Sequence, residues 1–397
     1  MNYTWNFKPL PPQATVIQLQ QELNISEPLA ILLAQRGITT FQQAKDFFRP
    51  TLSQLHNPFL MKGMQAAVTR LDHALKNNET ILIYGDYDVD GTSAVSLMER
   101  YLSTFTSKLF TYVPDRYSEG YGISFQGIDY AKTQGCTLII ALDCGIKAID
   151  KVQYAKEKGI DCIIADHHRP SDQVPDAVAV LDPQQPDCPY PYKELCGCGL
   201  GFKLAQAYHE YLQRPLSELM PLLDLVAVAT AADIVPMNGE NRTLMYFGLE
   251  VINQQPSAGV KALFGEHQGA ITVSDVVFKA APRINAAGRI EHGKYAVALL
   301  TEPDVEKALL KAQEIDELNT HRKELDSYIA EQALGQIESN GEQNRYTSVV
   351  LNEEWHKGVI GIVASRLIEH YYRPTIVFTK SGDKYAASAR SVQGFDI

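Results

Sequence analysis

The chain has 397 residues, 45% of them hydrophobic and 21% charged, a balance typical of a globular protein with two or three domains. Its formal net charge of −11 argues against a broad surface for duplex DNA but leaves room for a narrow basic channel. No stretch approaches the roughly 20 apolar residues that span a bilayer, and the N-terminus lacks a signal-peptide pattern, so we expect a cytoplasmic protein that does not contact membranes.

Residues 1–75 are predicted to form a helical cap on the next part of the chain. Within them, EPLAILLAQRGI and MQAAVTRLDHAL carry apolar residues at helical spacing. From Thr80 the pattern changes to short apolar strands that alternate with amphipathic segments. The strands are predicted at residues 81–85, 109–114, 137–143 and 161–166. This alternation predicts right-handed crossovers and an open parallel α/β sheet.

The rest of the chain predicts a helical region followed by a second, smaller α/β unit. The apolar segment 216–235 is predicted to be one buried helix that ends near Asp233. Residues 303–338 predict a long charged helix that could connect two domains. Its predicted apolar stripe consists of Leu309, Leu318, Leu325 and Ile329. The segments TSVVLNE, PTIVFTK and YAASARS predict further strands, and because the last one ends without a turn or helix, we expect this unit to be truncated.

Three of the predicted strands pass directly from an apolar run into acidic residues, as in ILIYGDYDVD, LIIALDCG and CIIADHH. Ligands of open parallel sheets bind beyond the carboxyl ends of the strands, so these side chains are expected to converge. The converging set comprises Asp86, Asp88, Asp90, Asp143, Asp166, His167 and His168. Two carboxylates about 4 Å apart repel by roughly 4 kcal/mol at an effective dielectric constant of about 20, so such a set requires a cation.

The residue types at this edge favour Mn²⁺ or Mg²⁺ as the cation. Oxygen ligands mixed with an imidazole suit these ions better than they suit a zinc site, which is usually rich in thiolates. The number of carboxylates suggests two ions that share one aspartate, an arrangement used to hydrolyse phosphodiesters. Any one of these aspartates could be an ordinary turn former or helix cap, and Asp90 could both cap a helix and bind an ion. The three strands taken together favour the metal site.

The ordered motifs resemble those of the DHH phosphoesterase superfamily, and most closely those of RecJ-type single-strand-specific exonucleases. They are YGDYDVDGTSA, ALDCG, ADHH, GLGFKLA, DLVAVATAADIVP, PRINAAGRI and HKGVIGIVASRL. The resemblance implies a cap at 1–75, a DHH domain at 76–300, a connecting helix at 301–340 and a DHHA1-type domain at 341–397. It also implies two divalent cations, Mn²⁺ or Mg²⁺, and removal of nucleotides from single-stranded DNA in the 5′→3′ direction during repair and recombination.

Matched motif by motif, the resemblance assigns roles to the acidic edge. The implied metal ligands are Asp86, Asp88, Asp90, Asp143, His167 and Asp233. Asp143 is implied to bridge the two ions, His168 to contact the scissile phosphate or assist the leaving oxygen, and Asp166 to orient the histidines. The motif DLVAVATAADIVP also contains Asp224, which lies nine residues, or about 13 Å along a helix axis, before Asp233. We therefore choose Asp233 as the last ligand and predict that Asp224 is a cap or an internal hydrogen-bonding residue.

Basic and small residues elsewhere are predicted to hold the nucleic acid. PDRYSEGYG offers an arginine beside tyrosines, which suits single-stranded DNA, and the resemblance implies a 5′-phosphate pocket there. PRINAAGRI allows close approach of a phosphate, although its arginines could instead pair with the protein's own carboxylates. HKG precedes a helix start whose amides favour an anion, and ASARS could complete the phosphate site. The predicted contact residues are Arg116, Arg283, Asn285, Arg289, His356, Ser388 and Arg390.

Two alternatives to this nuclease stay open. One is a DHH phosphoesterase that acts on short oligonucleotides or cyclic dinucleotides, although the cap, PRINAAGRI and the long helix are not expected in such an enzyme. The other is an inactive RecJ-like scaffold that binds DNA, although a scaffold has no need to tolerate so much carboxylate repulsion. The resemblance also points to single-strand-binding protein and a helicase as partners. Cys188, Cys196 and Cys198 are predicted to be free thiols rather than zinc ligands.

Overall fold

A computed structural model describes residues 5–397, so residues 1–4 of the predicted cap lie outside the described residues. The described part of the cap contains four helices, which are α1 (Gln13–Leu23), α2 (Glu27–Ala34), α3 (Phe41–Phe48) and α4 (Met64–Lys76). Short 3₁₀ turns at Leu52–Gln54 and Pro58–Leu60 lead into α4. Helices α1 to α3 enclose a small apolar core of their own, whereas α4 packs into the core of the neighbouring sheet domain.

A parallel sheet of five strands forms the centre of the next domain within the described residues. The strands are β1 (Thr80–Gly85), β2 (Leu109–Tyr112), β3 (Cys136–Leu142), β4 (Asp161–Ala165) and β5 (Ala179–Leu181), in the order β2-β1-β3-β4-β5. This confirms the predicted open parallel α/β sheet. The sequence pattern does not predict β5, because a run of three residues is too short to show a strand period.

Helices cover both faces of this sheet. They are α5 (Val89–Leu102), α6 (Phe125–Thr133), α7 (Ile149–Glu157) and α8 (Gly197–Tyr211). Ile81 and Ile83 of β1 enter the larger core with α5 and α8, whereas Leu82 and Tyr84 enter a second core with α6 and α7. Burial on both faces explains why the predicted strands are continuous apolar runs without alternation.

A helical region comes after the sheet. Its helices are α9 (Leu223–Ala232), α10 (Gly239–Gln254), α11 (Ala258–Phe264), α12 (Val273–Asp275), α13 (Ala281–Ile290) and α14 (Lys294–Leu300). The prediction of one helix over 216–235 is wrong, since the 3₁₀ segment Leu216–Leu222 precedes α9. Pro221 explains the break, because proline lacks an N–H and clashes with the preceding helical turn. PRINAAGRI lies in α13, directly after a π-helical turn at Val276–Ala280.

A helix of 35 residues, α15 (Val305–Ser339), leads from this region to the last unit. It confirms the predicted long connecting helix. Within the predicted apolar stripe, Ile329 is buried and Leu318 and Leu325 are half-buried, but Leu309 is 45% exposed, so the prediction is wrong there. Small residues such as Ala308 line the face that enters the core instead, which lets α11 and α13 approach α15 closely.

The last unit is a small sheet packed on helices. It consists of β6 (Ser348–Leu351), α16 (Ile360–His370), β7 (Thr375–Ser381) and β8 (Lys384–Arg390). β6 and β7 are parallel, whereas β7 and β8 are antiparallel. Val363 of α16, Val377 of β7 and Ile329 of α15 share its core. The predicted fold class, two α/β units joined by a long helix beneath a helical cap, is therefore confirmed. Across residues 5–397, no helix has the length and apolar character needed to cross a membrane.

Candidate metal centre and nucleic-acid cleft

Three aspartates and a histidine meet at the carboxyl edge of the parallel sheet. Asp143 comes directly after β3, His167 lies just beyond β4, Asp90 lies in the first turn of α5, and Asp233 comes after the last turn of α9. His167 is central, because its Nε2 atom is 3.2 Å from Asp143 Oδ1 and 3.6 Å from Asp233 Oδ2. The same nitrogen is 3.8 Å from Asp90 Oδ2. Four segments far apart in sequence therefore supply one cluster of ligand atoms.

The ligand atoms of this cluster fit a divalent cation. Asp143 Oδ1, His167 Nε2 and Asp233 Oδ2 are buried, and none of them has a hydrogen-bond partner in the described part of the chain. Two overlapping groups have ligand atoms within 4.8 Å of one another, one with Asp143, His167 and His168, the other with Asp90, His167 and Asp233. Carboxylate oxygens and a neutral imidazole that lack other partners are suitable donors for Mn²⁺ or Mg²⁺.

The electrostatics of the cluster also call for a cation. Burial, and then repulsion from Asp90, raise the pKa of Asp233 to about 7. The same two causes raise the pKa of Asp143 well above its usual range. Burial is also the main cause that raises the pKa of Asp90. A bound cation would reverse these shifts, because its charge favours the ionised form of each ligand.

The N-terminus of α8 holds one of these carboxylates in place. The backbone amides of Gly197 and Cys198 donate to Asp90 Oδ2 at 2.5 Å and to Oδ1 at 2.8 Å. A Cβ atom on Gly197 would overlap the side chain of Asp143, so only glycine allows this close approach. Gly197 and Cys198 are not among the predicted site residues. The signal that could have found them is the run of small residues, CGCG, at the start of an amphipathic helix.

Asp86 and Asp88 lie at the same edge but outside the two groups of ligand atoms. Asp88 caps α5, since its Oδ1 accepts a hydrogen bond from the Gly91 amide at 3.0 Å. Asp86 comes directly after β1 and is buried. Burial, and then repulsion from Asp88, raise its pKa to about 7. Both residues therefore add negative charge next to the cluster.

His168 lies beside the cluster and contacts a carboxylate and a tyrosine. Its Nδ1 is 2.7 Å from Asp166 Oδ1, and this hydrogen bond raises the pKa of His168. Burial opposes ionisation of Asp166, but the hydrogen bond and charge of His168 outweigh it and lower the pKa of that carboxyl. The hydroxyl of Tyr121 donates to the Asp143 carbonyl oxygen at 3.0 Å and lies 3.2 Å from His168 Nε2. Tyr121 is not among the predicted residues, although it is the second tyrosine of PDRYSEGYG.

Asp224, the alternative to Asp233, lies in an internal network. It is fully buried in α9, with Oδ1 3.2 Å from Arg100 Nη1. Its Oδ2 accepts a hydrogen bond from the Ser257 amide at 2.9 Å. The two aspartates of this motif thus have different surroundings, and only Asp233 faces His167.

Two of the predicted contact arginines lie together without a carboxylate partner among the described residues. Arg116 donates to the Gly288 carbonyl oxygen at 2.9 Å, and its guanidinium carbon is 3.8 Å from the centre of the Tyr87 ring. Arg289 donates to the Gly358 carbonyl oxygen at 3.2 Å. Burial, and then repulsion from Arg116, lower the pKa of Arg289 to about 10. Two half-buried guanidinium groups that repel each other are suited to an anionic ligand.

The other two predicted residues of α13 differ from each other. Arg283 donates to the Leu263 carbonyl oxygen, and its Nε is 2.7 Å from Asp316 Oδ1 of α15. Its guanidinium therefore pairs with the protein's own carboxylate, which was the alternative left open by the sequence. Asn285 is half-buried and lies four residues before Arg289, so the two share one face of α13.

The predicted residues of the last unit gather at the start of α16. His356 Nδ1 accepts a hydrogen bond from the Gly358 amide at 3.2 Å. In β8, Arg390 Nη1 donates to Ser388 Oγ at 3.1 Å, and Arg390 Nε donates to Ser365 Oγ of α16 at 3.2 Å. α16 has no side-chain cap, and a Cβ atom on Gly361 in its first turn would lie 3.1 Å from Ser388 Oγ, so the free amides of this turn lie close to these polar groups.

A contact between the two α/β units brings these residues towards the sheet edge. Tyr117 donates its hydroxyl hydrogen to the Arg289 carbonyl oxygen, and its ring meets the His356 ring edge-on at 5.8 Å. A Cβ atom on Gly358 would overlap the Arg289 carbonyl oxygen. The loop after β2 and helix α13 on one side, and the loop before α16 on the other, therefore meet where the two walls of a candidate cleft touch.

Comparisons with known proteins identify relatives of both units. Residues 80–230 match the DHH family, N-terminal domain, and residues 343–397 match the DHHA1 domain. The chain is 41% identical over 393 residues to the single-stranded-DNA-specific exonuclease RecJ of Bacillus subtilis, covering 98% of this chain and 49% of that relative. It thus spans about half the length of this curated relative.

Solved structures of RecJ proteins have the same fold. A manganese-bound exonuclease RecJ superposes with a TM-score of 0.77 at 31% identity, covering 87% of this chain and 85% of that one. RecJ from Thermus thermophilus in complex with Mn²⁺ gives a TM-score of 0.84 at 28% identity, covering 97% of this chain and 55% of that one. The same Thermus protein has also been solved in complex with Mg²⁺.

Proposed function

Because this chain belongs to the DHH family and to its RecJ-type members, we propose that it is a metal-dependent exonuclease that degrades single-stranded DNA in the 5′→3′ direction. The observation that carries this proposal is the cluster of Asp90, Asp143 and Asp233 around the Nε2 atom of His167. It is supported by the relatives, whose names describe single-stranded-DNA-specific exonucleases. We place this activity in DNA repair and recombination, within the cytoplasm.

The proposed ligands of two divalent cations, Mn²⁺ or Mg²⁺, are Asp86, Asp88, Asp90, Asp143, His167 and Asp233. Asp143 is proposed as the ligand that the two ions would share on the strength of the family resemblance, and its Oδ1 lies 3.2 Å from His167 Nε2. When bound, the cations would lower the pKa of water and neutralise charge on the phosphate. The chain itself keeps these ligands fixed, since two amides of α8 hold Asp90. Fixed ligands lower the cost of ordering the site during catalysis.

His168 is the proposed catalytic residue beside the cations. Its hydrogen bond to Asp166 favours the charged imidazolium, which can contact the scissile phosphate and give a proton to the leaving oxygen. Asp166 fixes the ring, because it also accepts a hydrogen bond from the Ile146 amide at 2.8 Å. Asp166 is therefore proposed to be a positioning residue.

Substrate contacts are proposed on both sides of the cleft. Arg116, Asn285 and Arg289 would hold a phosphate from the sheet domain, whereas His356, Ser388 and Arg390 would hold it from the last unit. A terminal 5′-phosphate carries more charge than an internal phosphodiester, so paired arginines favour strand ends. For Arg283, the pairing with Asp316 supports an indirect role in which it anchors α13 on α15.

The proposed domains are a cap at 1–75, a DHH domain at 76–300, a connecting helix at 301–340 and a DHHA1-type domain at 341–397. The packing of α4 into the sheet core argues for moving the first boundary to a point before Met64. Single-strand-binding protein and a helicase are proposed as partners on the strength of family resemblance alone.

Digestion of 5′-labelled single-stranded and double-stranded DNA with Mn²⁺, Mg²⁺ or a chelator tests this function. We expect cutting of single strands from the 5′ end, complete loss in chelator, and loss of at least about a thousandfold in Asp143→Ala. The matched control is Asp176→Ala, which removes an aspartate whose side chain is 83% exposed. Cutting without metal, or by Asp143→Ala, would refute the proposal. Equal rates on dinucleotides and long strands would instead favour a phosphoesterase of small substrates.

A further inference from the structure

Ile234, the residue after the proposed ligand Asp233, has an unusual backbone conformation. Its φ angle is +59°, in the left-handed region that side chains branched at Cβ rarely adopt. Non-glycine residues with positive φ in the described chain are Asn24, Asn78, Asp143, Gln213 and Ile234. Asparagine and aspartate tolerate this region, and Ile234 is the one β-branched residue in the group. The side chain of Ile234 is also 85% exposed, so burial does not offset the strain.

Neighbouring contacts hold the turn at Ile234 from both sides. The Asp233 amide donates to the Ala229 carbonyl oxygen at 2.9 Å, which completes α9. The Pro236 carbonyl oxygen accepts hydrogen bonds from Tyr192 Oη at 3.2 Å and from Asn241 Nδ2 at 3.1 Å. The surrounding structure therefore imposes the turn, and glycine or asparagine would adopt it with less strain. An exposed isoleucine at this point calls for a contact outside the described chain.

The position of Ile234 indicates what that contact is. Asp233 Oδ2 lies 3.6 Å from His167 Nε2, and consecutive Cα atoms are about 3.8 Å apart, so the isoleucine side chain starts at the rim of the metal centre. We propose that Ile234 packs against the face of a nucleobase that flanks the scissile phosphate. This inference rests on the proposed function of the site. Aliphatic side chains insert between stacked bases in other nucleic-acid complexes, and a contact to a base face reads no sequence.

Such a contact would separate two neighbouring bases of the strand. Single-stranded DNA tends to stack its bases, and the phosphate between them must turn towards the cations before it can be cut. An apolar wedge beside Asp233 would hold the two bases apart while the phosphate lies over the metal ligands. If the turn served only to aim Asp233, asparagine at position 234 would serve equally well.

The test compares Ile234→Asn, which relieves the strain and removes the apolar surface, with Ile234→Val, which keeps both. The matched control is Gln213→Asn, at an exposed positive-φ position beyond the far end of α8, about 22 Å from the metal edge. Two quantities are measured for each protein: the thermal midpoint in chelator, and kcat/KM on 5′-labelled single strands. The strands are either intact or abasic at the first or the second nucleotide.

Both asparagine variants should raise the thermal midpoint, Ile234→Asn by about 2–4 °C. On intact strands Ile234→Asn should lower kcat/KM about tenfold, as expected for loss of one isoleucine-sized apolar contact. Ile234→Val, which removes a single methylene, should lower it only about twofold to fourfold, while Gln213→Asn stays near wild type. On the strand that lacks the contacted base, the difference between wild type and Ile234→Asn should disappear. An unchanged kcat/KM for Ile234→Asn, or a tenfold loss that persists on both abasic strands, would overturn the inference.

If the proposed nuclease function is wrong, the experiment gives a different result from the one expected if only the role of Ile234 is wrong. Wild-type protein that binds the labelled strand without cutting it would refute the nuclease. Dissociation constants for the intact and abasic strands would then replace kcat/KM. Ile234→Asn should bind the intact strand more weakly than wild type does, and the two proteins should bind the strand that lacks the contacted base equally well.

Discussion

At the scale of single residues, the metal centre depends on one nitrogen shared by three carboxylates. His167 Nε2 lies 3.2 to 3.8 Å from Asp143, Asp233 and Asp90, and without a cation these carboxylates only repel one another. Each carboxylate ligand therefore lowers the free energy of unfolding of the metal-free protein, and this loss is reversed when a cation binds. This opposition between stability and function gives two predictions.

Asp143→Asn should stabilise the metal-free protein and abolish its response to metal. Asparagine keeps the shape of the side chain and tolerates the φ of +58° at this position, but it removes a buried charge. We expect the thermal midpoint in chelator to rise, and the further rise with Mn²⁺ that is expected of wild type to be lost. Differential scanning calorimetry with and without Mn²⁺ measures both. A variant that still gains stability from Mn²⁺ would contradict the role of Asp143.

The stability of the metal-free protein should fall as the pH rises from about 4 to about 7. Burial raises the pKa of Asp86 and of Asp233 to about 7, whereas an aspartate in an unfolded chain titrates near 3.9. The folded state therefore binds these protons more tightly, and the stability this gives is full below about pH 4 and lost as the pH passes about 7. Saturating Mn²⁺ should remove this decline. Thermal midpoints across this range measure it, and Asp233→Asn should flatten the curve in chelator.

At the scale of secondary-structure elements, the N-terminus of α8 acts as the support of the acidic cluster. Its first amides neutralise part of the charge on Asp90, as the positive end of a helix dipole does for any nearby anion. The approach depends on Gly197, because a side chain there would overlap Asp143. A glycine at this point matters for its small size, and its segment, CGCGLGFK, lacks the GxxxxGK[ST] spacing of a phosphate loop.

Gly197→Ala should weaken both the fold and the metal site. We expect a loss of about 2–3 kcal/mol in the free energy of unfolding, since α8 must move away and leave Asp90 without its amides. Affinity for Mn²⁺ should fall by about tenfold to a hundredfold, as for other supports of metal ligands. Gly201→Ala is the control in the same helix, because its Cβ would meet no atom closer than Leu142 at an ordinary 3.5 Å. Urea denaturation and isothermal titration would measure these effects, and equal behaviour of the two variants would contradict the prediction.

At the scale of the whole molecule, the proposed phosphate site needs both α/β units. Arg116 and Arg289 belong to the sheet domain, whereas Ser388 and Arg390 belong to the last unit, and α15 fixes the distance between the units. The contact of Gly358 with the Arg289 carbonyl oxygen sets how closely the walls of the cleft approach. Recognition of a strand end is thus a property of the assembled chain.

Gly358→Ala should separate the two walls while leaving each unit folded. We expect KM for 5′-phosphorylated single strands to rise about tenfold, with a smaller change for strands that end in a 5′-hydroxyl. Gly335→Ala, at a position of α15 where a Cβ would meet nothing, is the control. Steady-state kinetics on the two kinds of strand would test this. Equal increases for both would indicate that the contact supports the fold rather than the phosphate site.

The sequence by itself determined the parallel sheet, the long helix and the acidic edge, because these depend on local hydrophobic periods and on the rule that parallel strands end at one edge. It did not reveal the three-residue strand β5, the break at Pro221 or the exposed Leu309, since neighbouring elements decide such details. Only the tertiary structure paired Arg283 with Asp316, brought Gly197 against Asp143 and placed a strained Ile234 at the rim. Each of these depends on distances between segments far apart in the chain, and no local pattern of residues encodes such distances.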